Sequence, residues 1–226
     1  MIILRVEKLN MFQNSLYKII FLCFFCSSLI VSSQELQKSP RKLKKIGTLY
    51  NRASENNFLF NDADYTYTTN LFKVQFFYLL WESKRLDINL IFQPQIHNAR
   101  HQLNNIQFIT PDISNFIALR ERYSQERTIS LLGFELGIQF RRKLFGQLFS
   151  ELNLAAGIAH IDKETERLAS GFTFIENLSL GIAYLFKSSE IYLGANLGHV
   201  SNFNFKDPND GYNVLGFEVG YRILLK

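Results

Sequence analysis

From residue 43 onward the chain alternates apolar and polar positions with the period of a β-strand, in which successive side chains point to opposite faces. Eight such runs predict strands at 43–52, 67–81, 86–97, 129–142, 146–160, 171–186, 190–201 and 213–225. In the fourth run Leu132, Phe134, Leu136, Ile138 and Phe140 share one face, and Gly133, Glu135, Gly137, Gln139 and Arg141 the other. In the fifth, Leu148, Leu152, Leu154, Ala156 and Ile158 oppose Glu151 and Asn153. The last run sets Leu215, Phe217, Val219, Tyr221, Ile223 and Leu225 against Glu218 and Arg222. No segment in this region carries a helical period.

The connections sharpen the picture. Long ones (53–66, 98–128, 161–170 and 202–212) alternate with short ones (82–85, 143–145 and 187–189). An even number of strands joined by alternating short and long connections is the pattern of an outer-membrane barrel. The predicted fold is therefore all-β, an eight-stranded antiparallel transmembrane β-barrel of outer-membrane type. Eight strands leave a lumen that side chains fill, so a pore is not expected. A soluble lipocalin-like barrel is the rival, with the faces reversed. Two features favour the membrane version: the glycines fall with the polar set, as a crowded lumen requires, and Phe72, Phe76, Tyr78 and Phe186 fall with the apolar set. The inward Glu135, Glu151 and Glu218 are then expected to pair with Lys73, Arg141 or Arg222, because an isolated buried charge is prohibitive.

The first 33 residues read as a secretory signal peptide, leaving 34–226 for the barrel. Lys18 closes a basic segment, Ile19 to Ile30 form an apolar stretch, and Val31-Ser32-Ser33 supply small residues for cleavage. Both cysteines, Cys23 and Cys26, fall in this leader, so disulfides are not expected to hold the barrel together. The 22 Phe and 10 Tyr against 4 Pro suit strands. The net charge of +5 is modest, and the run Arg41-Lys42-Leu43-Lys44-Lys45 is expected to flank the first strand and not to bind nucleic acid.

Candidate chemistry lies near the end of the chain, in Gly198-His199-Val200-Ser201-Asn202 followed by Lys206-Asp207-Pro208-Asn209-Asp210-Gly211. His199 and Ser201, two residues apart on a strand, share a face with Ile191, Leu193, Ala195 and Leu197, the lipid side. A two-residue turn across Ser188-Ser189 would pair Leu178 with His199 and Glu176 with Ser201, on the same side. Asn213 opens the last strand, also outward. Ser201 is thus a candidate nucleophile, His199 its base, and Glu176 or Asn213 the group that orients the imidazole, the logic of acyl transfer. Asn202 is a candidate donor to the oxyanion. Taken alone, a His-x-Ser at a barrel rim is an interfacial polar pair, and His97, His101 and His160 are read that way. No His, Asp and Glu cluster has metal-ligand spacing and no glycine-rich phosphate loop is present, so no metal or organic cofactor is expected.

The segment Gly198-His199-Val200-Ser201-Asn202 with Pro208-Asn209-Asp210-Gly211 resembles the C-terminal motif of the lipid A 3-O-deacylase (PagL-like) family of outer-membrane acyloxyacyl hydrolases. The resemblance covers about the last thirty residues as a motif, and the rest only in strand count and loop rhythm. It implies an eight-stranded barrel that removes an ester-linked acyl chain from lipid A, with Ser201 and His199 carrying over as nucleophile and base. Where the family has an acid, twelve residues after the serine, this chain has Asn213. Either Asn213 suffices, or Glu176 replaces the acid, or activity is weak or lost. The expected partner is lipid A of the lipopolysaccharide in the outer leaflet, and the expected location the cell outer membrane. A catalytically silent structural or adhesive barrel, supported by the long 98–128 connection, is the alternative. A phospholipase using the same dyad is a third reading.

Overall fold

The structure is a computed structural model that describes residues 42–225, so the predicted signal peptide lies outside the described residues. Eight strands form: β1 (Leu43–Ser54), β2 (Tyr65–Glu82), β3 (Leu86–Leu103), β4 (Arg127–Phe145), β5 (Leu148–Ile161), β6 (Gly171–Leu185), β7 (Ser189–Ser201) and β8 (Tyr212–Leu224). They pair antiparallel in sequence order, and β1 pairs with β8 to close the barrel. Closure removes the free edges and satisfies every ladder, the condition for spanning hydrocarbon with strands.

The faces settle the rivalry between membrane and soluble barrels. Phe217 is 78% exposed, whereas Glu218 next to it is 2% exposed. The same contrast runs around the ring: the exposed large side chains of the strands are mostly Leu, Ile, Phe and Tyr, while Lys45, Lys73, Arg141, Arg222, Glu135, Glu151 and several Gln and Asn are buried. Glycines make the lumen tight. A Cβ at Gly157 would lie 2.0 Å from the Phe134 carbonyl oxygen, so only glycine fits there.

The interior charges pair largely as expected. Lys73 Nζ donates to Glu135 at 2.7 Å. Nearer the short turns, Arg222 donates to Glu151 at 2.6 Å and to Glu190 at 3.1 Å, and Arg141 donates to Glu151 at 3.0 Å and Glu190 at 2.5 Å. Lys45 joins this group at 2.9 Å from Glu190. Among the described residues it is the one member of the basic run inside the wall, because β1 already begins at Leu43. Glu218 departs from expectation. It has no ion pair among the described residues and instead accepts a hydrogen bond from the Tyr192 hydroxyl at 3.3 Å.

Three further expectations are corrected. The connection predicted at 98–128 is shorter, because β3 continues to Leu103 and β4 starts at Arg127; between them lie a 3-10 turn (Ile106–Phe108) and a helix, α1 (Phe116–Ser124). No helical period announces α1 because Tyr123 is its only buried residue. His97 and His101 are not interfacial: both are buried on the inward face of β3, and His101 Nε2 lies 3.0 Å from Glu166 Oε1. The β6–β7 turn is made by Lys187-Ser188, with the Phe186 amide donating to the Ser189 carbonyl, and not by Ser188-Ser189. This moves the register by two residues and leaves the faces unchanged, so Glu176 pairs with His199 and Phe174 with Ser201.

Candidate active site

Ser201 ends β7 and His199 precedes it by two residues, so strand geometry turns both outward. β7 lies between β6 and β8, which sets one outward row across three strands: Glu176 pairs with His199 on one side and Asn213 pairs with it on the other. Directly paired residues hold their Cβ atoms about 5 Å apart. Both candidate orienting groups thus flank the imidazole itself, where the sequence-derived register had placed Glu176 beside the serine. Of the two, Asn213 makes the contact: His199 Nδ1 lies 2.7 Å from Asn213 Oδ1. With Nδ1–H donating to that amide oxygen, Nε2 carries the free lone pair. Among the described residues no hydrogen bond joins His199 to Glu176 or to the Ser201 hydroxyl. Such catalytic contacts often close only when substrate is bound.

Ser201 is recessed, at 9% exposure, while His199 is half-buried and Glu176 and Asn213 are exposed. Its surroundings are aromatic. Phe174, its partner across the ladder, stacks edge-on against Phe203 at 4.9 Å and Phe172 at 4.9 Å, with Phe205 at 6.0 Å. The four rings form an apolar wall beside the hydroxyl, facing the surrounding lipid, that reaches the long-loop rim of the barrel. Thr173 Oγ1 donates to the Ser201 carbonyl at 2.9 Å and anchors the strand end from inside.

The loop from 202 to 211 turns back against the serine. Gly211 sits at φ +62°, a conformation that favours glycine, and a Cβ there would lie 2.3 Å from the Val200 carbonyl oxygen and 3.2 Å from Ser201 Cβ. Asn202 ties the loop together. Its side-chain amide donates to the carbonyls of Lys206 at 2.7 Å and Pro208 at 3.3 Å, and its backbone N–H donates to Asn209 Oδ1. Both donors are engaged within the loop, so in this structure Asn202, the candidate oxyanion donor, organises the loop.

A second loop, 162–170, holds the first in place, which the sequence did not signal. The Arg167 carbonyl accepts from the amides of Asp210 at 2.8 Å and Gly211 at 3.1 Å, and its Nε donates to the Gly211 carbonyl at 3.0 Å. The Arg167 guanidinium stacks over the Tyr65 ring at 4.3 Å. Leu168 and Ala169 turn inward and, above the stacked pair Tyr67–Tyr212 (4.1 Å), help cap the lumen. The recognisable signal in the sequence was only that this loop is long; its inward Leu-Ala pair has no local period.

Among the described residues no group of His, Cys, Asp and Glu is arranged to hold a metal ion. Chemically, this face offers a hydroxyl nucleophile, an adjacent imidazole with an oriented tautomer, a neighbouring carboxylate and an apolar wall.

The family model described as Lipid A 3-O-deacylase (PagL) matches residues 45–222. Among solved structures, the chain is similar to the outer membrane enzyme PagL, with TM-score 0.51 and 11% identity, over 80% of this chain and 99% of that one. It also resembles Neisserial surface protein A (NspA), with TM-score 0.45 and 10% identity, over 80% and 97% of the two chains. At these identities the structural likeness concerns the fold. No curated protein sequence matches the chain.

Proposed function

The chain belongs to the lipid A 3-O-deacylase (PagL) family, and on that premise we propose that it is a serine esterase that removes an ester-linked acyl chain from lipid A. Family and fold together place it in the outer membrane. The observation that carries the catalytic reading is the hydrogen bond of 2.7 Å between His199 and Asn213, one outward row from Ser201 on the same lipid-facing side of β7.

In this reading a lipid A molecule approaches sideways from the outer leaflet and lays an acyl chain against Phe172, Phe174, Phe203 and Phe205. Ser201 Oγ attacks the ester carbonyl while His199 Nε2 takes its proton. The tetrahedral intermediate collapses, the sugar hydroxyl leaves with the proton from His199, and the acyl group stays on Ser201. Water, deprotonated by His199, then releases the fatty acid and restores the serine. No step calls for a metal or an organic cofactor.

Asn213 and Glu176 divide what one carboxylate does in a Ser-His-Asp arrangement. The amide oxygen of Asn213 fixes the ring and its tautomer but brings no charge. Glu176, paired with His199 across the ladder, supplies negative charge for the imidazolium that forms. Orientation is the stricter requirement, because a misplaced ring cannot reach the serine at all.

Expression in a Gram-negative host is expected to shift its lipid A to species lighter by one acyl chain, read by mass spectrometry. An unchanged acyl count with the folded barrel present in the membrane would remove the proposal. Asn213→Ala is expected to lower kcat on lipid A by about a hundredfold, near 3 kcal/mol, and Glu176→Ala by about tenfold, near 1.4 kcal/mol. The opposite ranking would show that the carboxylate, and not the amide, orients the imidazole.

A further inference from the structure

The outward face of β1–β4 changes character before the strands end. One row of paired residues, Phe72, Ile96 and Leu132, is apolar. The next outward row toward the long loops, Asn70, Asn98 and Ser130, is wholly polar. Its members bond to one another and to the wall below: Ser130 Oγ donates to Asn98 Oδ1 at 3.1 Å, and the Tyr50 hydroxyl donates to Asn70 Oδ1 at 2.7 Å. A tyrosine with its ring on the apolar side and its hydroxyl in a polar row marks the boundary between hydrocarbon and headgroups. On β6 the aromatic side chains run up to Phe172, one residue from the strand end, so this polar collar is confined to the β1–β4 wall, which meets β8, the strand of Asn213, along the closing β1–β8 seam.

Two arginines stand in the collar. Arg52 pairs with Asn70 in the first polar row, and Arg100 pairs with Thr68 and Thr128 one row further out. Both side chains are exposed and outward by parity, and among the described residues neither makes a hydrogen bond or an ion pair. The nearby carboxylate, Asp162, accepts the Ser130 amide at 2.8 Å and is faced by Lys163 at 4.0 Å, so it does not balance them. An arginine on the lipid-facing side of a barrel is destabilising at mid-membrane and nearly free of penalty at the interface. At that level its planar fork matches phosphate oxygens in a bidentate way. Across the ladder Asn70 pairs with Arg52, and Thr68 and Thr128 pair with Arg100, which puts further hydrogen-bonding side chains on the same outward face.

We propose that Arg52 and Arg100 form a second lipid site on the outer wall, which holds the phosphate-bearing headgroup of an outer-leaflet glycolipid at a place separate from Ser201. The site fastens a phosphorylated lipid to the β1–β4 side and leaves the aromatic β6–β7 side open to acyl chains. It requires nothing of the esterase reading, since neither arginine touches the His199 row.

The test uses the full chain carrying Ser201→Ala, so that bound ester lipid is not consumed and the result is independent of whether Ser201 is a nucleophile. The folded barrel, verified by its heat-modifiable migration on gels, is purified in detergent and offered diphosphorylated lipid A, the same glycolipid stripped of phosphate, or inorganic phosphate. Native mass spectrometry reads what is retained. The pair of substitutions Arg52→Gln and Arg100→Gln is expected to lower retention of the phosphorylated form about tenfold and to leave the stripped form unchanged. Arg52→Lys with Arg100→Lys is expected to restore only part of it, because an ammonium keeps the charge and loses the bidentate fork. Equal retention by the glutamine variant, or equal retention of the stripped lipid, would overturn the proposal. Displacement of the lipid by an equal concentration of inorganic phosphate would show a free-anion site and overturn it as well.

Discussion

Replacing Ser201 by alanine is expected to lower deacylation of lipid A by about 10⁴-fold, near 5 kcal/mol of transition-state stabilisation, while the barrel folds as before. The chemical half of the expectation follows from the proposed covalent step, since without the hydroxyl no acyl-enzyme forms and only positioning remains. The structural half follows from the site. Ser201 ends its strand on the outward face, and its described tie to the barrel is the carbonyl that accepts from Thr173, which the substitution keeps. Purified wild type and variant should therefore show the same heat-modifiable mobility and differ only in fatty acid released from lipid A. A variant that retained more than a tenth of wild-type activity would remove the covalent mechanism and leave another nucleophile to be found.

Glu190→Leu is expected to be the most damaging single change to the fold, at about 3–5 kcal/mol. The charged cluster near the short turns holds Lys45, Arg141 and Arg222 against Glu151 and Glu190, and all five are buried. Glu190 contacts every one of the three cations, at 2.9, 2.5 and 3.1 Å. Without it, three buried positive charges share a single carboxylate. Arg222→Leu removes a larger side chain but leaves two cations facing two carboxylates, so it should be milder despite its lost contacts with the Phe77 and Tyr192 rings at 4.7 and 4.5 Å. Denaturant unfolding of the purified barrels in lipid should place the midpoint of Glu190→Leu well below that of Arg222→Leu. Equal midpoints would mean that charge balance in the lumen matters less than packing.

These two expectations draw on different parts of what the chain encodes. Strand number, the alternation of faces and the rhythm of connections were legible in the residues, because a side-chain period of two together with a demand for apolar residues outside leaves few ways to write a membrane barrel. The same parity placed His199, Ser201, Glu176 and Asn213 outward, which is where the structure has them. Pairing register was not legible. A turn shifted from Ser188-Ser189 to Lys187-Ser188 preserves every face and therefore leaves no trace in the pattern, yet it moves Glu176 from beside the serine to beside the imidazole. The hidden helix α1 and the inward His97 and His101 escaped for a related reason: a short exposed helix buries no stripe, and a strand that continues into a predicted loop reads as polar chain.

By itself, then, the amino-acid order decided the architecture and the side of the wall on which each strand residue stands, His199 and Ser201 included, since both follow from local alternation. Only the tertiary structure decided that Asn213 and not Glu176 touches His199, that Asn202 is consumed by its own loop, and that Arg167 clamps Gly211 against the serine. Those contacts join residues up to 44 positions apart, and they depend on hydrogen-bond register and loop closure, which no period along the chain records.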